Sequence, residues 1–305
     1  MRTLSLAAFM LLLTACPNGE ETDTTETDTD TDTDADAVFE DYINITEAMT
    51  IAAGECWTPG DAWLTETPDT AKQVTLSGTV EVRDFESDDR ASGLTVDIFS
   101  DDDVTGTPDQ TQESDQNGEV VVDLPVCQPM GYRSSDPAGE AKDTYESHQF
   151  IGYPGDDVPL GVTEFNSVSR VTYLIIPSLL GISPDPTKSI IAGTAYDCND
   201  DPIEGVQVIA KVNGEIPNGL ITKYFVDDFP NRDQPHTSAD GLWIAINVPV
   251  GDVTVEMWGI DGSGDPQLLG STQMPTFADS INIANIPIGH DNGIKYPDSC
   301  LPAAE

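Results

Sequence analysis

Residues 238–259 read SADGLWIAINVPVGDVTVEMWG, and their spacing decides the fold class. Asp240-Gly241 is a turn pair. After it, Leu242, Ile244, Ile246 and Val248 alternate with Trp243, Ala245 and Asn247. A second turn at Gly251-Asp252 leads to Val253, Val255 and Met257, again on every second position. Period two over runs of this length belongs to strands with one buried face, and Gly-containing turns join such runs as antiparallel neighbours. The phase predicts that the Leu242 and Val253 sets face inward. Trp243 and Trp258 then fall on the outer face.

The same pattern occurs earlier in the chain. VTLSGTVEV (74–82) parallels IIAGTAYD (190–197), and GLTVDIF (93–99) parallels GVQVIAKV (205–212). DQNGEVVVDLPV (115–126) parallels the opening stretch, with Val120, Val122 and Leu124 inward, as are Leu94, Val96 and Ile98. A sheet with one apolar face hides it against a second sheet. The expectation is therefore a mainly β chain of two tandem Ig-like or transthyretin-like antiparallel sandwiches, over 38–165 and 188–288. The 25 Gly and 22 Pro fit a turn-rich all-β chain.

The second copy resembles the carboxypeptidase regulatory-like domain. Gly193, Asp197, Pro202, Gly205, Val206, Val208, Thr237, Asp240, Gly241, Val248, Pro249 and Gly251 stand at that family's turn and strand positions. Ala195 replaces the usual Val, and the stretch from Lys211 to Thr237 is a long insertion. The resemblance implies a transthyretin-like sandwich of about seven strands. It brings no chemistry, since these positions shape turns and strands. Between the copies, 166–187 predicts a short helical connector. Asn166 or Ser167 caps it, Val168, Val171, Ile175 and Leu179 form its packed stripe, Gly181 ends it, and Pro177 opposes a regular course. Residues 38–70, with Trp57 and Trp63, are a lead-in to the first sandwich, and 289–305 are a C-terminal tail.

The amino end carries an address. Arg2 and the apolar run Leu4–Leu13 make an export signal over 1–15, too short for a span of ~20 apolar residues. Leu13-Thr14-Ala15-Cys16 resembles the lipobox of bacterial lipoproteins, which implies cleavage before Cys16 and lipidation of that residue. Pro17, rather than Asp, after the cysteine points to the outer membrane. Acidic stretches at this place resemble surface-export signals, so exposure at the cell surface is also expected. Residues 16–37 are then the lipidated Cys and an acidic Thr/Asp linker, solvated and extended by its own charge. The formal net charge of -43 repels nucleic acid and anionic headgroups, so the lipid is the expected membrane partner.

With Cys16 acylated, Cys56, Cys127, Cys198 and Cys300 remain, an even number in an oxidising compartment. Two disulfides are expected. Three pairings are open, and Cys56–Cys127 with Cys198–Cys300 is the expected one because it keeps each bridge within one half.

Catalytic signatures are missing. His148, His236 and His290 lack an H-E-x-x-H or similar partner, and no G-x-S-x-G or phosphate loop occurs. No catalytic residue, metal site or cofactor is expected. The acidic loops 100–110, 197–202, 226–233 and 259–266 offer oxygen ligands for calcium, but solvated loops are the expectation. Trp57, Trp63, Trp243, Trp258, Tyr145, Tyr153 and Tyr224 are candidate stacking aromatics for a glycan or protein ligand, or a covered domain interface. The sequence thus describes a non-enzymatic cell-envelope lipoprotein presenting binding or structural modules. The alternatives are a carbohydrate-binding module and an accessory hydrolase with a site in 212–236.

Overall fold

Seventeen strands and one α-helix follow from these patterns in a computed structural model, which describes residues 57–85, 87–260 and 265–303. The export signal, Cys16, the acidic linker and Cys56 lie outside the described residues. The first half contributes β1 (Val74–Asp84), β2 (Thr95–Phe99), β3 (Gln110–Glu113), β4 (Glu119–Val126), β5 (Pro129–Ser135), β6 (Ala141–Lys142), β7 (Thr144–Phe150) and β8 (Thr163–Ser169). Helix α1 (Arg170–Leu180) follows. The second half contributes β9 (Ser189–Tyr196), β10 (Gln207–Val212), β11 (Ile221–Val226), β12 (Phe229–Asn231), β13 (Leu242–Val248), β14 (Gly251–Ile260), β15 (Pro266–Thr276), β16 (Ile281–Ile283) and β17 (Ile286–Pro287).

The internal repeat is visible in the pairing. β1 pairs antiparallel with β4 and parallel with β8, as β9 pairs with β13 and β16. β2 pairs with β5, and β5 with β7, as β10 pairs with β14, and β14 with β15. The halves are also fused. Strand β16 lies between β7 of the first half and β9 of the second, parallel to both. One sheet therefore runs β12-β11-β13-β9-β16-β7-β5-β2-β3 through both halves.

Two smaller sheets cover it. β4-β1-β8-β6 packs on the first half, where Val80, Val82, Val120, Val122 and Leu124 meet Val96, Ile98, Met130 and Tyr132. β10-β14-β15 packs on the second half, where Val208, Val253, Val255 and Met257 meet Ile191, Trp243 and Ala245. The inward sets of β2, β4 and β14 are as the phase predicts. Strand β13 is inverted: Trp243, 1% exposed, faces the inter-sheet core, while Ile244 and Ile246 face α1. The helix covers the other face, so both faces of β13 are apolar and alternation alone could not choose between them. A bulge at Asn247 (φ 66°) then returns Val248 to the Trp243 side.

Helix α1 also departs from expectation. Ser169, not Asn166 or Ser167, caps it, accepting from the Thr172 amide at 3.1 Å. Gly181, at φ 77°, ends it as read. Tyr173, Pro177 and Leu180 pack against the sheet, whereas Val171, Ile175 and Leu179 point to solvent, Val171 at 62% exposure. Val168 belongs to β8, so a stripe phased from it does not continue into the helix. The lead-in, too, leaves its expected half: Trp57 stacks on Trp63 at 5.3 Å and packs in the second half's core.

One glycine shows how tightly the shared strand is held. A Cβ on Gly193 of β9 would lie 1.7 Å from the Ala284 carbonyl oxygen, because the segment after β16 crosses directly over it. Gly193→Ala is expected to lower stability by about 3 kcal/mol, since backbone must move to admit one methyl. A urea midpoint unchanged at constant m would show that this segment does not lie on β9.

Candidate functional site

Parallel strands β7, β16 and β9 run side by side only as far as Ile283. Beyond it the chain turns to form β17 on β9, while β7 continues through Ser147–Phe150. A cleft of about 390 Å³ opens where they part, outside the carboxyl ends of the three strands. Gln149, Phe150, Tyr196, Asn285, Lys295 and Tyr296 are among the residues that line it.

Its supports are polar and buried. Glu146 lies beneath the cleft, accepting from Gln149 Nε2 at 2.8 Å, Asn166 Nδ2 at 3.2 Å and Asn285 Nδ2 at 3.4 Å, and also from the Tyr132 hydroxyl. It joins β5, β7, β8 and the segment after β16. Burial pushes its carboxyl up to about 7, against the lowering effect of the hydrogen bonds from Tyr132 and Asn166. The same surroundings, burial first and the Glu146 charge second, raise Tyr132 well above its ordinary value.

The charged side chains form closed pairs. Lys295 Nζ lies 2.5 Å from Asp200 Oδ1 and 3.1 Å from the Cys198 carbonyl. His148 Nδ1 lies 2.5 Å from Asp102 Oδ2, and its Nε2 lies 2.7 Å from the Gln273 carbonyl of β15. Burial alone would lower the His148 pKa. The hydrogen bond and charge of Asp102, helped by that carbonyl, outweigh burial and hold it above 6.5. Tyr296 is pinned as well, since its amide donates to Glu66 Oε2 at 2.5 Å. Burial raises Glu66, but His290 and that amide prevail and hold its carboxyl below 4.5.

The three histidines do not converge. His236 Nδ1 lies 2.9 Å from its neighbour Thr237's carbonyl, and His290 Nδ1 lies 2.8 Å from that of Ile288, both residues being buried. The 212–236 insertion builds β11 and β12 at the sheet edge and buries Leu220, Tyr224 and Phe225. Two of the acidic loops satisfy their carboxylates locally: Asp103 accepts from the Thr105 hydroxyl and amide, and Asp197 from the amides of Asn199 and Asp201. Among the described residues no group of three or more His, Cys, Asp or Glu side chains is placed to hold a metal ion. Of the candidate stacking aromatics, Trp57, Trp243, Tyr145 and Tyr224 are buried in cores, leaving Trp63, Trp258 and Tyr153 half-buried.

The disulfide pairing is corrected. Cys127 joins Cys300, with Cα atoms 5.3 Å apart across a sequence separation of 173. The C-terminal segment crosses back to the first half, where Cys300 is buried among Cys127 and Ile151. Sequence distance gave no sign of that return. Cys198 is also disulfide-bonded. Glu146, Gln149, Tyr196, Asn285 and Tyr296 went unnoticed in the sequence. The one available signal was Glu146, a carboxylate in the strand TYESHQF.

The described residues thus form a mainly β protein with a polar cleft at a strand divergence. No family model matches the chain, and no curated protein matches it. Among solved structures it is similar to the TIE protein of Bacillus anthracis at 10% identity and TM-score 0.22, over 70% of this chain and 34% of that one. It is similar to the shaft pilin SpaA of Lactobacillus rhamnosus GG at 9% identity and TM-score 0.23, over 70% and 98%. BcpA, the major pilin subunit of Bacillus cereus, gives 9% and 0.21, over 70% and 100%. The chain spans about a third of the length of the first of these. At such scores nothing of the pilins' roles carries over to this chain. Among the described residues no helix is long and apolar enough to cross a membrane.

Proposed function

We propose that this is a non-enzymatic lipoprotein of the bacterial envelope, anchored to the outer membrane through Cys16. It holds a rigid pair of transthyretin-like sandwiches, and the cleft between them, away from the bilayer on an acidic tether. One observation carries the reading: both halves are locked into a single body by the shared strand β16 and the Cys127–Cys300 bridge. Such a body suits presentation of a fixed surface. The histidines support it, each holding a ring nitrogen near a main-chain carbonyl. So does the 212–236 insertion, which is occupied in strands rather than in a site.

Two measurements test this. Labelled palmitate is expected to enter the full-length protein and not Cys16→Ser; label in the variant would sink the anchor. Purified protein is expected to leave peptide, ester and glycoside substrates unchanged. Turnover that persists through purification and disappears on changing a cleft or insertion residue would replace the binding module with the hydrolase.

A further inference from the structure

We infer that the cleft between β7 and β17 is a binding site for an uncharged, hydroxyl-rich ligand, a neutral saccharide. The inference rests on the reading of the protein as a binding module and names what the module binds.

The charges in the cleft argue first. Lys295 is held by Asp200 and the Cys198 carbonyl, and His148 by Asp102 and the Gln273 carbonyl. Both cations in the lining are already paired, so an anionic ligand would have to compete with Asp200 or Asp102 for them. A neutral ligand disturbs neither. The polar atoms that remain are uncharged. The hydroxyls of Tyr196 and Tyr296 and the Gln149 carbonyl oxygen have no protein partner among the described residues, and all three residues line the cleft. Hydroxyl groups, which both donate and accept, suit this mixture of phenols and an amide acceptor.

The apolar part fits as well. Phe150 and Tyr296 present rings 4.8 Å apart at 59°, and Met274, Ala284 and Pro287 also line the cleft. A pyranose has C–H faces for such surfaces and hydroxyls around its edge, and the volume falls within the range of small-molecule sites.

The site is also held in place before any ligand arrives. The Gln149 amide nitrogen is tied to Glu146, and Asn285 sits between Glu146 and the Thr194 amide. Tyr296 is fixed through its own amide by Glu66, four residues before the disulfide at Cys300. Groups already ordered lose little entropy on binding, which favours even a small ligand.

The test uses the whole mature chain and saturation-transfer NMR with four uncharged tetrasaccharides (maltotetraose, cellotetraose, xylotetraose and chitotetraose) beside tetragalacturonate. At least one neutral sugar is expected to bind, with affinity lowered at least tenfold in Tyr296→Ala and in Gln149→Ala at unchanged melting temperature. Gln149→Ala keeps the question answerable if Tyr296→Ala fails to fold. The saccharide assignment is overturned if no neutral sugar binds, or if binding survives both substitutions. Preference for tetragalacturonate overturns it too, while leaving the binding module standing. Time-dependent cleavage of a bound sugar would instead remove the non-enzymatic reading and keep the cleft.

Discussion

Cys127→Ser should destabilise this protein by about 2 to 5 kcal/mol, with the upper figure the chain-entropy limit for so long a loop. The bridge closes 173 residues, and both cysteines are fully buried. In the unfolded chain it holds together segments that would otherwise move independently. In the folded chain it fastens the C-terminal segment under the first half, where the Cys300 carbonyl also accepts from the Asp69 amide at 2.9 Å and the Leu301 carbonyl from Lys72 Nζ at 2.6 Å. Those hydrogen bonds remain in the variant but must hold the segment unaided. Urea unfolding of the variant beside the parent reads the loss directly. A change under about 0.5 kcal/mol, the usual scatter for an inconsequential surface site, would mean the bridge constrains little. Peptide mapping without reduction gives a separate check: a Cys56–Cys127 peptide would overturn the pairing itself.

Stability is also expected to fall as pH rises through neutrality, and Glu146 is expected to cause much of it. Its folded-state pKa of about 7 stands above the ordinary 4.5, so the native protein holds a proton there that the unfolded chain has released. Between those values the folded state binds more protons, and stability declines with increasing pH. At about 1.4 kcal/mol per pH unit the full loss is about 3 kcal/mol, complete above pH 7 and absent below 4.5. His148 acts in the same direction. Its raised pKa gives stability that is present below 6.5 and lost as pH climbs through the folded value. Glu146→Gln, which keeps the shape and cannot ionise, should flatten the decline between pH 5 and 8 and leave only the histidine's share. A profile as steep as the parent's would show that Glu146 is ionised in the fold at all these pH values. On the acid side the order reverses. Asp115, lowered by the amides of Glu119 and Asn117, and Asp136, whose backbone hydrogen bonds outweigh burial, lend stability that disappears as pH drops below 4.

What could be read in the residues was the local repeat. Val120, Val122 and Leu124, or Val253, Val255 and Met257, announce strands because one face of each is apolar and the other is not. Strand β13 resisted because helix α1 buries its second face, which makes Trp243 and Ile244 equally apolar in prospect. The shared strand was hidden for another reason. Ile281-Asn282-Ile283 is three residues long, and nothing in it shows that its neighbours are Thr144–Glu146 and Ile190–Ala192. The cleft was invisible on the same grounds. Gln149, Tyr196, Asn285 and Tyr296 come from four distant stretches and are ordinary surface residues until the sheet parts between them. Glu146 was the exception, a carboxylate in an otherwise strand-like run.

The placement of β16 also sets an order of events during synthesis. A chain emerging amino end first completes β7 long before residue 281 follows it. Until then the edge of β7 offers unpaired amides and carbonyls to whatever strand is near, which is the condition for misassembly between neighbouring chains. Neither half can acquire its last partner locally, and contacts of such high sequence separation form slowly. The first half must therefore wait, open along one side, for the last tenth of the chain. A holding factor, or rapid delivery of the remaining residues, would protect that edge during the wait.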